Sequence, residues 1–352
     1  MATIILTGGG TAGHVTPHLA ILPYLKKDFD KIYYIGSENG IEKEIVERAG
    51  IKFYSTPCVK LIRKFTLKNL RIPFTLINGV RKAEKLIDLL KPDVIFSKGG
   101  YVALPTVIAA SKKRVPVIAH ESDLTVGLSN RITAKYCKKV LTSFPDTANT
   151  LKNGEFVGAP IRRSLFAVKK SDAVNYFNFK KEKPILLVTG GSSGAKFINE
   201  VLRNSLEYLL KTFNVIHICG KGNLSDFDFG EGYYQTEYMN NVEYAFRAAD
   251  ICVTRAGSNT LFELLSLKLP CVVIPLPKTV SRGDQLKNAD YFKKLGLVSV
   301  IEQENLTENS LKKEIASVYA HKDRIAENFK SHPINDASQK IADTIAAEIL
   351  NR

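Results

Sequence analysis

Thr7-Gly8-Gly9-Gly10-Thr11-Ala12-Gly13-His14 follows the apolar run Ile4-Ile5-Leu6, and Thr189-Gly190-Gly191-Ser192-Ser193-Gly194-Ala195 follows Ile185-Leu186-Leu187-Val188. Each reads as a buried first strand, a tight glycine loop and a helix N-terminus. There, backbone N–H groups and the helix dipole favour an anion. Two such openings, one in each half of the chain, imply two nucleotide-fold domains facing each other across a cleft. That arrangement suits a sugar-nucleotide enzyme.

The rest of the chain alternates strand and helix around these two openings. Strand-like runs are expected at 3–7, 31–35, 94–97, 117–120, 139–142 and 155–157, with helices over 15–27, 40–49, 75–90, 104–113 and 127–134. The pattern restarts with strands at 185–189, 215–219, 250–254, 271–274 and 298–300. Helices follow over 199–211, 242–248, 260–267, 285–295 and 309–320. Such alternation predicts α/β domains with parallel sheets covered on both faces. The join falls near Gly158-Ala159-Pro160, followed by a polar, charged stretch to Lys183. The expected domains are 1–160 and 161–335, with a final helix in 336–352 packing back on the first.

Composition agrees: 352 residues, 45% hydrophobic and 24% charged, describe a two-domain globular protein. No apolar run reaches the ~20 residues that span a bilayer, and a strand starting at once leaves no room for a signal peptide. Cys58, Cys137, Cys219, Cys252 and Cys271 are odd in number, scattered and without metal spacing, so they read as reduced core thiols. The net charge of +15 is uneven. Residues 1–163 hold 26 Lys/Arg against 13 Asp/Glu, and residues 164–352 hold 24 against 22. Lys60–Lys85 mixes eight basic residues with Leu61, Ile62, Phe65, Leu67, Leu70, Ile72, Phe74, Leu76 and Ile77, and only Glu84 opposes them. Two readings stand, an anionic membrane surface or a solvated basic face over a core helix. No nucleic-acid motif accompanies the charge.

Gly8-x-Gly10-x-x-Gly13 also satisfies the dinucleotide fingerprint, but the second strand ends Ile35-Gly36-Ser37 with Glu38 already in the turn, which weakens that reading. His14, where the first helix begins, faces the positive helix end and is expected neutral, a base near pH 7 or simply a helix-terminal histidine. His18 reads as structural. In the second half, Arg255-Ala256-Gly257-Ser258-Asn259-Thr260 follows a strand and opens a helix carrying Glu263. That carboxylate is placed to accept both ribose hydroxyls, or is a first-turn acid favoured by the dipole. The Asp-x-Asp candidate for a metal, Asp226-Phe227-Asp228, sits in a surface turn and is not expected to bind metal. The glycine loops and the Ser192 hydroxyl would steady a diphosphate instead. His120-Glu121 ends a strand beside Ser97–Tyr101, the edge where open α/β sheets bind ligands.

Six ordered motifs, Gly8–Val15, Ser97–Val102, His120-Glu121-Ser122-Asp123, Gly190-Gly191-Ser192, Arg255–Ser258 and Ser281-Arg282-Gly283-Asp284-Gln285, together resemble the MurG family of cell-wall N-acetylglucosaminyltransferases. The pattern is similar to its Gram-positive branch; Ser122-Asp123 and Ser193 replace residues of the proteobacterial pattern. The resemblance implies a glycosyltransferase-B fold of two Rossmann-like domains, the first for acceptor and membrane, the second for UDP-GlcNAc. It implies an inverting transfer of GlcNAc to lipid I, giving lipid II, with no cofactor and no obligatory metal. It implies a peripheral protein on the cytoplasmic membrane face, with a cell-wall synthesis complex as a candidate partner and no nucleic-acid partner. Donor contacts would come from Thr11, Ala12, Gly13, Arg162, Ser192, Met239, Ser258, Asn259, Thr260, Glu263, Asp284 and Gln285. Acceptor contacts would come from Gly10, Tyr101, His120 and Asp123. The catalytic candidates are His14, favoured as base, and Glu121. Other enzymes of the fold, such as a UDP-GlcNAc epimerase or a glycolipid glycosyltransferase, and a non-enzymatic basic nucleotide-binding protein remain the alternatives.

Overall fold

The structure is a computed structural model that describes residues 1–59, 72–180, 182–191 and 195–350. The chain divides into two compact units, Met1–Ile161 with Asp336–Arg352, and Arg162–Asn335.

The first unit is built on seven parallel strands: β1 (Thr3–Thr7), β2 (Lys31–Gly36), β3 (Lys52–Ser55), β4 (Val94–Ser97), β5 (Val117–Glu121), β6 (Lys139–Thr142) and β7 (Gly154–Phe156). Their order is β3-β2-β1-β4-β5-β6-β7, so the winding reverses between β1 and β4. Ligands of doubly wound sheets bind in the crevice at that switch point, outside the carboxyl ends of the strands. Ile4, Ile5 and Leu6 of β1 are fully buried, as expected of a strand covered on both faces. The helix Ser338–Leu350 belongs to this unit. Its Ile341, Ala342 and Ile345 fill the same core as Ile21, Leu22 and Leu25 of the helix Thr16–Asp28. Each buried isoleucine contributes about 2 kcal/mol of hydrophobic stabilisation.

The second unit repeats the plan with β8 (Ile185–Thr189), β9 (Asn214–Ile218), β10 (Tyr233–Thr236), β11 (Ile251–Thr254), β12 (Cys271–Val273) and β13 (Val298–Val300). The order β10-β9-β8-β11-β12-β13 puts its switch point between β8 and β11. The loops leaving those two strands are Gly190-Gly191 and Arg255–Gly257. Two strands were not anticipated, β3 and β10. Both lie at sheet edges and are only half-buried, so they lack the apolar run that marks the inner strands. The helix Lys170–Phe177 falls in the polar, charged stretch before Lys183, where no helix was expected. It buries only Ala173 and Phe177, too few for a visible helical period. Helices Pro145–Asn149, Ser164–Ala167 and Lys322–Ser331 were likewise missed. The five cysteines are free thiols, four buried and Cys58 half-buried.

Candidate active site

At the switch point of the first unit two glycine turns meet. The loop after β1 carries Gly10 at φ +86°, and the turn after β4 carries Gly99 and Gly100 at φ +77° and +78°. A Cβ on Gly10 would lie 2.6 Å from Cε1 of Tyr101, and one on Gly100 would strike the Gly9 carbonyl oxygen and crowd the His14 ring. Only glycine lets the two backbones approach this closely. Gly100→Ala therefore combines backbone strain with a collision. It should destabilise the protein by at least about 2 kcal/mol and reduce turnover, checked by thermal melting and steady-state rates.

His14 ends a short 3-10 turn, Ala12–His14, two residues before the helix Thr16–Asp28. Its Nδ1 lies 3.0 Å from the Lys98 carbonyl oxygen. A carbonyl only accepts, so Nδ1 carries the proton, and in the neutral form of the ring the lone pair sits on Nε2. This is the tautomer a general base needs. His18, one helical turn on, is fully buried between Tyr34 and Phe96, with ring centroids 5.2 and 5.5 Å away. Burial holds it neutral, and Lys98 and His14 add to that effect.

His120 needs a correction. Expected at the acceptor, it is fully buried, with Nε2 3.1 Å from the Gly158 carbonyl and Nδ1 2.6 Å from Nζ of Lys98. A ring with both nitrogens engaged inside the fold organises its neighbours rather than touching a ligand. Glu121 ends β5 with its carboxylate already used. Oε1 accepts from the Asp123 N–H at 3.1 Å, and Oε2 accepts from the Gly127 N–H at 2.8 Å and Asn130 Nδ2 at 2.9 Å. Those three donors make it the clamp of the loop 122–127, a role ill-suited to taking a substrate proton.

Glu42 was missed by sequence reasoning. It is fully buried in the first turn of the helix Ile41–Arg48. Its carboxylate accepts from the Ser37 N–H at 2.9 Å, from the Ser37 hydroxyl, and from the Gly10 N–H at 3.2 Å. A Cβ on Gly9 would lie 2.6 Å from its Cδ. Part of the first glycine loop's donor capacity thus serves an internal carboxylate, so this loop is less open to a phosphate than its sequence suggests. The legible signal was an acid in the first turn of the helix after β2, four residues past the Glu38 that was weighed.

In the second unit Arg162 and Glu263 come together. Arg162 Nε donates to Oε1 at 2.5 Å and Nη2 to Oε2 at 2.7 Å, a two-pronged pair whose side chains are only 24% and 11% exposed. Burial opposes the arginine's charge, and the Glu263 carboxylate outweighs it. Ser258 and Glu263 are buried on the helix Ser258–Ser266, which also carries Asn259 and Thr260 at its start. Met239 is buried in the loop after β10. Asp284 and Gln285 open the helix Asp284–Lys294 behind Gly283, which has φ +79°. Gln285 Oε1 accepts from the Leu276 N–H at 3.0 Å, which turns its amide N–H groups to other partners. Ser192 lies outside the described residues, and Thr11, Ala12 and Gly13 belong to the first unit's loop. Asp228 accepts from the Gly230 N–H at 2.8 Å, closing a surface turn. Among the described residues no group of three or more His, Cys, Asp or Glu could hold a metal ion.

Comparison with known proteins spans both halves. Residues 4–142 match the glycosyltransferase family 28 N-terminal domain and residues 185–345 the family 28 C-terminal domain. A Clostridium botulinum (strain Loch Maree / Type A3) protein named UDP-N-acetylglucosamine–N-acetylmuramyl-(pentapeptide) pyrophosphoryl-undecaprenol N-acetylglucosamine transferase is 45% identical over 98% of this chain and 99% of its own. A Clostridium tetani protein of the same name is 43% identical over 97% of each. Among solved structures, Acinetobacter baumannii MurG superposes with a TM-score of 0.76 at 24% identity, covering 99% of this chain and 100% of that one. A UDP-GlcNAc 2-epimerase from Neisseria meningitidis, bound to UDP-GlcNAc, superposes at 0.67 with 16% identity over 100% of both chains. Such likenesses show a glycosyltransferase-B fold, and with both halves matched and the full length shared, the chain belongs to glycosyltransferase family 28, in its MurG branch.

Proposed function

We propose that this protein transfers N-acetylglucosamine from UDP-GlcNAc to the 4-hydroxyl of the muramoyl sugar of undecaprenyl-pyrophosphoryl-MurNAc-pentapeptide (lipid I), giving lipid II. The observation that carries this reading is the near-full-length identity with transferases of that name. The donor half uses Glu263 on the ribose hydroxyls, Arg162 and the Gly190-Gly191 loop with Ser192 on the diphosphate, backbone near Met239 on the uracil, and Asp284 and Gln285 on the sugar. Ser258, Asn259 and Thr260 present the N-terminus of their helix. On the acceptor side, Gly10, Tyr101 and Asp123 would contact the acceptor, with His14 at the reacting hydroxyl. His14 Nε2 removes the 4-hydroxyl proton as that oxygen attacks the anomeric carbon from the face opposite UDP. The anomeric C–O bond to the diphosphate breaks, its electrons leave with UDP, and the configuration inverts. Preorganised donors then stabilise the charge on the departing diphosphate. Incubation with UDP-GlcNAc and a lipid I analogue should release UDP only when both are present. Turnover of UDP-GlcNAc alone would instead favour an epimerase.

We also place the first unit at an anionic membrane surface. No helix among the described residues is long and apolar enough to cross a membrane. Residues 60–71 of the basic, apolar stretch lie outside the described residues, including Lys64, Lys68 and Arg71. The helix Ile72–Leu90 continues it with exposed Phe74 and Ile77 beside exposed Arg81, Lys82 and Lys85. Apolar rings inserted at the headgroup boundary and basic groups above it add their effects, about 1 kcal/mol for each basic contact. Phe74→Ser combined with Lys82→Glu and Lys85→Glu should weaken binding to anionic liposomes at least tenfold. Activity on a short-chain, water-soluble acceptor should survive. Unchanged liposome binding at low salt would remove the surface from this helix.

A further inference from the structure

Lys98 directly follows β4, between His14 and His120, and is almost fully buried. Its backbone N–H donates to the Thr7 carbonyl at 2.9 Å, and its own carbonyl accepts from His14 Nδ1 at 3.0 Å. Its ammonium donates to His120 Nδ1 and to the Ser122 hydroxyl, both at 2.6 Å, and His120 passes the chain on to the Gly158 carbonyl. One residue therefore ties the turn that holds His14 to the end of β5 through three charge-assisted or neutral hydrogen bonds. A buried ammonium needs compensation, and Glu121 and Asp123 supply it from β5 and the loop behind it. Burial still lowers Lys98 to about 7, with those two carboxylates opposing the fall. The titratable groups facing this cluster are His14 from the turn after β1, His18 from the following helix, His120 and Glu121 from β5, and Asp123 beyond it. This arrangement also accounts for Ser122-Asp123: the hydroxyl is an acceptor for the ammonium and the carboxylate offsets its charge.

We propose that Lys98 is a positioning residue for His14: its side chain anchors the turn whose carbonyl sets the His14 tautomer, and its charge disfavours imidazolium at that site. The proposal rests on reading His14 as the base. The sign follows from like charges. While Lys98 is charged, protonation of His14 is held to lower pH, so the base stays available further into the acid range. Without the ammonium the imidazole protonates earlier, and the acidic limb of the kcat profile moves up.

The test uses the full chain with a water-soluble lipid I analogue. Lys98→Met keeps the length and apolar stem but loses the charge. It should lower kcat about tenfold, leave the KM for UDP-GlcNAc unchanged, and move the acidic limb up by about half a pH unit or more. Ser122→Ala, which removes one acceptor of the ammonium, should move the limb the same way by less, and stands alone if Lys98→Met fails to melt cooperatively. An acidic limb unmoved by these changes but erased in His14→Ala would overturn the role of Lys98 and leave the base in place. A limb that persists in His14→Ala would overturn the base reading and the proposal with it. A buried lysine serving only packing would lower stability without moving the limb.

Discussion

His14→Ala should lower kcat by about 10²–10⁴-fold, the range in which a positioned general base contributes, while UDP still binds and inhibits. The argument is one of tautomer and competition. Nδ1 faces the Lys98 carbonyl, so the basic lone pair sits on Nε2. The rival, Glu121, spends its two oxygens on three N–H donors that hold the loop behind β5. Stripping a carboxylate from such a clamp would rearrange the loop, so Glu121→Gln should damage acceptor use and stability together. The discriminating measurement is the pH dependence of kcat. His14→Ala should flatten the acidic limb, and Glu121→Gln should keep it at reduced height. The reverse pattern would hand the proton to Glu121.

Those two candidates also show how far the residues alone carried the site. The two glycine loops, the inner strands β1, β4, β5, β8 and β11, and the helices behind them were legible because buried parallel strands are continuous apolar runs and their loops need glycine. The edge strands β3 and β10 were not, since half-burial leaves no such run. Arg162 and Glu263, 101 positions apart, were each picked for a ligand, and nothing in their spacing says that they face each other. His120 was misplaced for a related reason. A histidine at a strand's carboxyl end points alternately into the core or toward the crevice, and the pleat that decides this is a one-residue matter. Glu42 escaped because two of its three donors, the N–H groups of Ser37 and Gly10, are backbone and leave no mark in side-chain chemistry.

Glu263→Ala should be the most damaging single change in the second unit, through two separable effects. Loss of the carboxylate strands the Arg162 guanidinium in a site where it is only 24% exposed. Removing one partner of a buried pair costs several kcal/mol. With this degree of exposure, on the order of 2–3 kcal/mol is expected from chemical or thermal unfolding. The second effect is on the nucleotide: without acceptors for the ribose hydroxyls, UDP should inhibit at least about tenfold more weakly. A double change tells them apart. Arg162→Met with Glu263→Leu replaces the pair by apolar groups of similar size and should recover most of the stability, yet UDP inhibition should stay weak. Gln285→Ala provides the contrast. Its side chain is assigned to the sugar and to the Leu276 N–H, so UDP-GlcNAc use should fall while UDP inhibition stays nearly intact. Recovery of UDP inhibition in the double variant would mean that Glu263 serves only to balance Arg162. The ribose would then be held elsewhere, and the two-pronged pair would be scaffolding for the helix Ser258–Ser266 rather than part of the donor site.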